Sequence, residues 1–171
     1  MWTKRSSLVV LISGNGSNLQ AIIDAISKKR IHGYIACVIS NKKDAPGLKR
    51  AQKANIKTTI IDHTLYNSRE EFEVDLAKEI SQFSPDLIVL AGFMRILGPK
   101  FVKQFSEKII NIHPSLLPKY PGLNTHEKVI ELGDENHGVT VHYVNENLDG
   151  GPICAQSFLE MIRGNKSTKN I

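Results

Sequence analysis

The sequence predicts an α/β fold: a mostly parallel, twisted sheet with helices on both faces. Three observations predict it. Short, continuous apolar runs recur along the 171 residues, as in strands buried on both faces. Segments with apolar residues at helical spacing lie between them. Strands that alternate with helices pair in parallel, because each helix carries the chain back across the sheet.

The elements follow in order. Residues 7–13 hold the apolar run Leu8-Val9-Val10-Leu11-Ile12, a buried strand. Residues 18–28 put Leu19, Ile22, Ile23 and Ile26 on one helix face. Residues 34–40 read as a second strand, 45–54 as a short helix and 58–61 as a third strand. A helix starts at Ser68, with Glu71 three residues on as a capping box. Phe72, Leu76, Ile80 and Phe83 recur at its core spacing until Pro85 stops it. Residues 87–91 form a fourth strand, 99–105 a helix and 109–112 a fifth strand. An irregular stretch with Pro114, Pro118, Pro121 and Gly122 fills 113–124. Residues 125–132 are helical up to Gly133, 139–144 form a strand, 145–152 a loop and 153–158 a last strand. No repeat, low-complexity segment or linker interrupts this order, and the N-terminal half reads as Rossmann-like. Sheets of this kind bind ligands beyond the C-terminal ends of their strands, here after Ile12, Leu90, Ile112 and Val144.

Composition sets limits. The apolar content of 41% and charged content of 23% suit a globular protein with its own core. No apolar stretch approaches a membrane span, and the run behind Lys4 and Arg5 is too short for a signal peptide. Cys37 and Cys154 each lie in an apolar run and read as buried, reduced thiols, which fits the cytoplasm. The net charge of +5 is uneven: residues 1–57 carry eleven Lys/Arg against two Asp, and the remainder is net acidic. A basic N-terminal half suits an anionic ligand. Nucleic acid is disfavoured, because aromatics do not interleave with the lysines.

Three motifs carry chemistry. Between the first strand and first helix lies Ser13-Gly14-Asn15-Gly16-Ser17-Asn18. A helix N-terminus offers free N–H groups and partial positive charge to a phosphate, and glycines let the backbone approach it. A tight turn with an N-cap is the plainer alternative. The dinucleotide fingerprint is incomplete: the third glycine is missing, and strand two ends in Ser40-Asn41-Lys42-Lys43 without an acidic residue. In Asn111-Ile112-His113-Pro114, Asn111 and His113 share one strand face at the ligand-binding end. A histidine moves protons near neutral pH and an amide donates to a developing oxyanion, although a merely hydrogen-bonded histidine also fits. Asp149 precedes Gly150-Gly151 in a loop able to fold back over a site, or to be a plain Asp-Gly turn. His113, His126, His137 and His142 show no zinc-type spacing, so no metal is expected. Ser115 lies in no nucleophile elbow.

The stretches ISGNGSNLQ (12–20), VLAGFMRIL (89–97), NIHPSLLPKYPG (111–122) and LDGGP (148–152) resemble the folate-dependent formyltransferase family, in the order in which that family carries them. Within it they are most similar to the branch acting on glycinamide ribonucleotide. The resemblance implies transfer of the formyl group of 10-formyltetrahydrofolate to the amine of glycinamide ribonucleotide, the third step of de novo purine biosynthesis. It implies that Gly16, Ser17 and Asn18 hold the substrate phosphate, and that Asn111, His113 and Asp149 are the catalytic trio. It implies that Arg69, Met94, Arg95, Ile96, Leu97, Asn111, Asn145, Glu146, Asn147, Leu148 and Asp149 line the folate pocket. Asp149 would keep His113 protonated. The implied enzyme is a cytoplasmic monomer or weak homodimer that needs no metal.

The likeness covers residues 8–158, taken as the catalytic domain. Residues 159–171 read as a polar, basic, disordered tail where the family continues with a further segment and a long helix. Asn124 replaces a histidine common in the family, and His126 is kept. The alternatives are a truncated, inactive paralogue that only binds ligand, formyltetrahydrofolate hydrolase, methionyl-tRNA formyltransferase and a dinucleotide-dependent oxidoreductase. The last two lack, respectively, room for a tRNA-binding domain and the right glycine loop.

Overall fold

A computed structural model describes residues 4–160, with the backbone alone at Glu160. The chain divides between Ile110 and Asn111 into two compact units. In the first, the strand order is β3 (Thr58–Ile60), β2 (Gly33–Ser40), β1 (Ser6–Ile12), β4 (Leu87–Leu90), and β1–β2, β1–β4 and β2–β3 all pair in parallel. β5 (Ile109–His113) begins in this unit and ends in the next. In the second unit the order is β5, β6 (Asn136–Tyr143), β7 (Ile153–Glu160), with β6 and β7 antiparallel.

The central place of β1 follows from its residues. Leu8 to Ile12 are all buried, so both strand faces are covered, as a parallel strand between two neighbours requires. On one face Val10 and Ile12 pack with Leu19 of α1 (Ser17–Ser27), Leu48 and Ala51 of α2 (Gly47–Lys53), and Val38, Val89 and Ala91. Each such side chain contributes about 1.5–3 kcal/mol by leaving water. α3 (Arg69–Gln82) buries Phe72, Leu76 and Ile80, as their spacing predicts.

The cap of α3 differs in one detail from the expected box. Ser68 Oγ accepts from Glu71 N at 3.1 Å, but the Glu71 carboxylate accepts from Asn67 N at 3.1 Å, one residue earlier than the usual return bond. A short 3₁₀ turn, His63–Leu65, precedes it and was not expected; Asp62 caps it through Thr64 N. Gly98 leads into α4 (Pro99–Gln104). In the second unit α5 (Thr125–Glu131) closes at Gly133, whose φ of 66° lets Gly133 N and Asp134 N turn back onto Ile130 O and Val129 O.

Cys37 is buried, and burial raises its thiol pKa. Cys154 is exposed on β7, contrary to the expected burial, because among the described residues nothing covers either face of this end strand, and Ile153, Phe158 and Leu159 are exposed with it. β7 runs to Glu160, and residues 161–171, the bulk of the expected tail, lie outside the described residues. Among the described residues no helix is long and apolar enough to cross a membrane.

Candidate active site

The expected site residues fall in both units. In the first, the glycine loop after β1 carries Gly16 as N-cap of α1 at φ 74°, ψ 31°, with no side chain capping the helix. Its first N–H groups therefore remain available to an anion. Ser17 is exposed and Asn18 half-buried at this end. The loop is held from α2: Arg50 Nε donates to Asn15 O at 2.8 Å and Arg50 Nη2 to Asn15 Oδ1 at 3.0 Å. Gly47 N donates to Gly14 O at 3.0 Å.

Beneath the loop, Ser13 joins two segments. Its hydroxyl donates to Asn41 Oδ1 at 2.6 Å and accepts from Met94 N at 2.7 Å, and Ser13 N donates to Gly92 O. Asn41 is buried and hydrogen-bonds His63. The start of the glycine loop and the Met94–Leu97 segment thus share one fixed point. Met94 and Ile96 are exposed, while Arg95 and Leu97 are half-buried. Arg69 lies at the start of α3 with its guanidinium beside Glu70 and Glu73.

The second unit brings Asn111, His113 and Asp149 together and adds His142. Asp149, nearly buried at its side chain, is the hub. Its Oδ2 accepts from Gly122 N at 2.8 Å and lies 3.4 Å from His113 Nδ1. Its Oδ1 accepts from Asn111 Nδ2 at 3.4 Å and lies 3.6 Å from His142 Nε2. The other nitrogen of His113, Nε2, is 2.8 Å from Tyr120 O. A carbonyl offers only lone pairs, so Nε2 carries a hydrogen, while Nδ1 faces the carboxylate across a longer gap. His142 differs: Nδ1 donates to Tyr143 O at 2.9 Å, and Asn111 Nδ2 reaches Nε2 at 3.3 Å, which suits the neutral ring with its lone pair on Nε2.

The sequence reading treated His142 only as a metal candidate. Its signal was positional: it shares a β6 face with Gly138 and Thr140, at the ligand-binding end. His137 faces the other way, and its Nε2 meets His126 Nδ1 at 2.5 Å. The histidines therefore sort into two pairs. Burial, then the neighbouring His126, hold the His137 pKa below the ordinary histidine range.

The proline-rich loop 113–124 is fixed from within. Ser115 Oγ donates to Lys119 O and Tyr120 O. Thr140, fully buried, donates to Ser115 O at 2.6 Å and accepts from Leu117 N and Gln156 Nε2. Asp134 accepts from the Tyr120 hydroxyl and Lys119, which lowers its pKa. These bonds hold the Tyr120 carbonyl against His113. In the loop 144–152, Asn145 Nδ2 donates to Gly150 O and its Oδ1 accepts from Asn147 N, while Glu146, Asn147 and Leu148 are exposed. Asp149 takes φ 49°, a left-handed turn that aims its carboxylate inward. A nearly buried carboxylate, an imidazole and a primary amide in one cluster can polarise a carbonyl and move a proton.

The sequence profile described as formyl transferase matches residues 6–171, and the chain belongs to that family. Within it, the chain is 52% identical over 158 residues to phosphoribosylglycinamide formyltransferase of Escherichia coli, covering 92% of this chain and 74% of that protein. It is 52% identical to the Haemophilus influenzae enzyme of the same name over 88% of this chain and 71% of that one. The crystal structure of phosphoribosylglycinamide formyltransferase from Coxiella burnetii in complex with CHES superposes with a TM-score of 0.90 at 55% identity, covering 95% of this chain and 76% of that chain.

Proposed function

We propose that this protein transfers the formyl group of 10-formyltetrahydrofolate to the amine of glycinamide ribonucleotide, in purine biosynthesis. The observation that carries this reading is the Asp149 hub, which gathers His113, Asn111 and His142 around one buried carboxylate. The relatives' name, phosphoribosylglycinamide formyltransferase, supports the same substrates.

The chemistry needs no covalent enzyme intermediate. The glycinamide nitrogen attacks the formyl carbon, and the carbonyl electrons move onto oxygen. Asn111 and the Nδ1 edge of His113, which meets Asp149 only loosely at 3.4 Å, donate to that oxyanion. The Asn111 contacts at 3.3 and 3.4 Å are long, so a full negative charge on substrate competes for those hydrogens. Asp149 compensates the imidazolium. The new C–N bond forms, the bond from carbon to folate N10 breaks, and one proton passes from the amine to N10 through His113, Asp149 or an ordered water. Gly16, Ser17 and Asn18 bind the ribonucleotide phosphate at the uncapped start of α1. Arg69, Met94–Leu97, Asn111 and Asn145–Asp149 receive the folate. The partners are these two small molecules, without nucleic acid or metal, and the protein acts in the cytoplasm as a monomer or weak homodimer.

The test is the absorbance change when 10-formyl-5,8-dideazafolate, a stable formyl donor, is mixed with the protein and glycinamide ribonucleotide. Turnover that requires the ribonucleotide is expected. Donor consumption without it would make the protein a hydrolase, and a folded but silent protein would make it a binding protein.

A further inference from the structure

Glu73 is a buried carboxylate with no part in the chemistry above. It lies one turn into α3, 7% exposed, among the core positions Phe72, Leu76 and Ile80. An apolar side chain there would cost less, since a carboxylate must be stripped of water to enter. Its partners are specific. Oε1 accepts from Gly98 N at 2.6 Å and lies 3.7 Å from Arg69 Nε, four residues earlier on the same helix face. Gly98 directly follows the Met94–Leu97 segment and leads into α4. The fit leaves no room for a side chain at Gly98: a Cβ would come 2.9 Å from Glu73 Oε2 and 3.3 Å from Arg69 Nε.

We propose that Glu73 is a positioning residue for folate recognition, which aims the Arg69 guanidinium at the carboxylates of the donor's glutamate tail. This rests on the formyl-folate reading. A guanidinium presents its donors in a rigid fork. Arg69 is partly exposed, and its outer edge also touches exposed Glu70 Oε1 at 3.3 Å. Glu73 draws the Nε edge from the buried side, which narrows the rotamers open to the guanidinium. The same carboxylate fixes Gly98, at the end of the Met94–Leu97 segment expected to line the folate pocket. One buried group thereby sets the spacing between the tail contact and that segment.

The experiment compares 10-formyl-5,8-dideazafolate with its pteroate counterpart, which lacks the glutamate. In Glu73→Gln the side chain still accepts from Gly98 N but loses the ion pair to Arg69. The ratio of kcat/KM for the glutamate-bearing donor over the tail-less one is expected to fall about tenfold, through KM, as loss of one charge-assisted contact predicts. Arg69→Ala should lower the same ratio, and adding Glu73→Gln to it should lower it no further. Gly98→Ala, which presses on Glu73 and Arg69 from the other side, is the second route if Glu73→Gln does not fold. Equal losses with both donors, or additive losses in the double variant, would overturn the proposal. Wild-type protein inert with both donors would instead remove the formyl-transfer reading. Calorimetric Kd values for the unformylated folate and pteroate then carry the same comparison.

Discussion

Asp149 offers two substitutions that separate charge from shape. Asp149→Ala deletes the acceptors of Gly122 N and Asn111 Nδ2 and the carboxylate beside His113 Nδ1. Losing charge-assisted bonds to a nearly buried group costs about 1.5–3 kcal/mol. Alanine at φ 49° adds about 1 kcal/mol of backbone strain. The sum, about 2.5–4 kcal/mol, lowers Tm by about 10 °C in a domain of this size. Asp149→Asn keeps the shape, tolerates the left-handed turn and still accepts from Gly122 N. It should cost only about 1 kcal/mol, or about 3 °C. Turnover is another matter. Asparagine cannot compensate an imidazolium or take a proton, so kcat should fall about 10²–10⁴-fold in both variants. The donor absorbance assay gives kcat, and circular dichroism on heating gives Tm. If Asp149→Asn keeps more than about a tenth of the wild-type kcat, the carboxylate charge is not part of the mechanism. If it melts as low as Asp149→Ala, the division between shape and charge is wrong.

Two further outcomes follow. Gly47→Ala would place a Cβ 2.7 Å from Ile12 Cδ1, 3.1 Å from Gly14 O and 3.2 Å from Gly16 Cα, which displaces the glycine loop. KM for glycinamide ribonucleotide should rise about 10–100-fold while KM for the formyl donor moves little; equal rises would show general damage. The depressed His137 pKa gives a stability slope. Its folded pKa lies below the unfolded value of about 6.5, so the unfolded chain binds more protons between the two. Stability from His137 is present above about pH 6.5 and is lost as pH falls toward the folded pKa. Among the described residues its buried Nδ1 has no hydrogen-bond partner, so the added proton would have no acceptor there. Tm should therefore drop less between pH 7.5 and pH 5.5 in His137→Gln than in the wild type, and parallel curves would refute it.

Strand and helix order were legible because apolar spacing reports local geometry directly. The run Leu8–Ile12 predicts a central strand, and Phe72, Leu76 and Ile80 predict the buried face of α3; the structure has both. The glycine loop and the Asn111, His113 and Asp149 motifs were visible as residue types at ligand-binding strand ends. Three things were not legible. His142 comes to Asp149 from a different strand, and nothing in its neighbours announces that pairing. The buried carboxylate of Glu73 sits in a helix whose pattern shows only an interruption among apolar positions. Cys154 reads as buried because a local run does not tell which side of a strand has a neighbour.

By itself, then, the order of residues determined which segments become strands and helices, where the glycines relax the backbone, and which residue types stand at the ligand-binding strand ends. Those properties depend on a few adjacent side chains and their spacing. Only the tertiary structure decided that His113 lies between Tyr120 O and Asp149, that Asn111 stands between two acceptors, and that Glu73 links Arg69 to Gly98. Each joins groups 4 to 38 residues apart in the chain, and hydrogen bonds act only within about 3.5 Å, so distances set by packing rather than by sequence order make or break them.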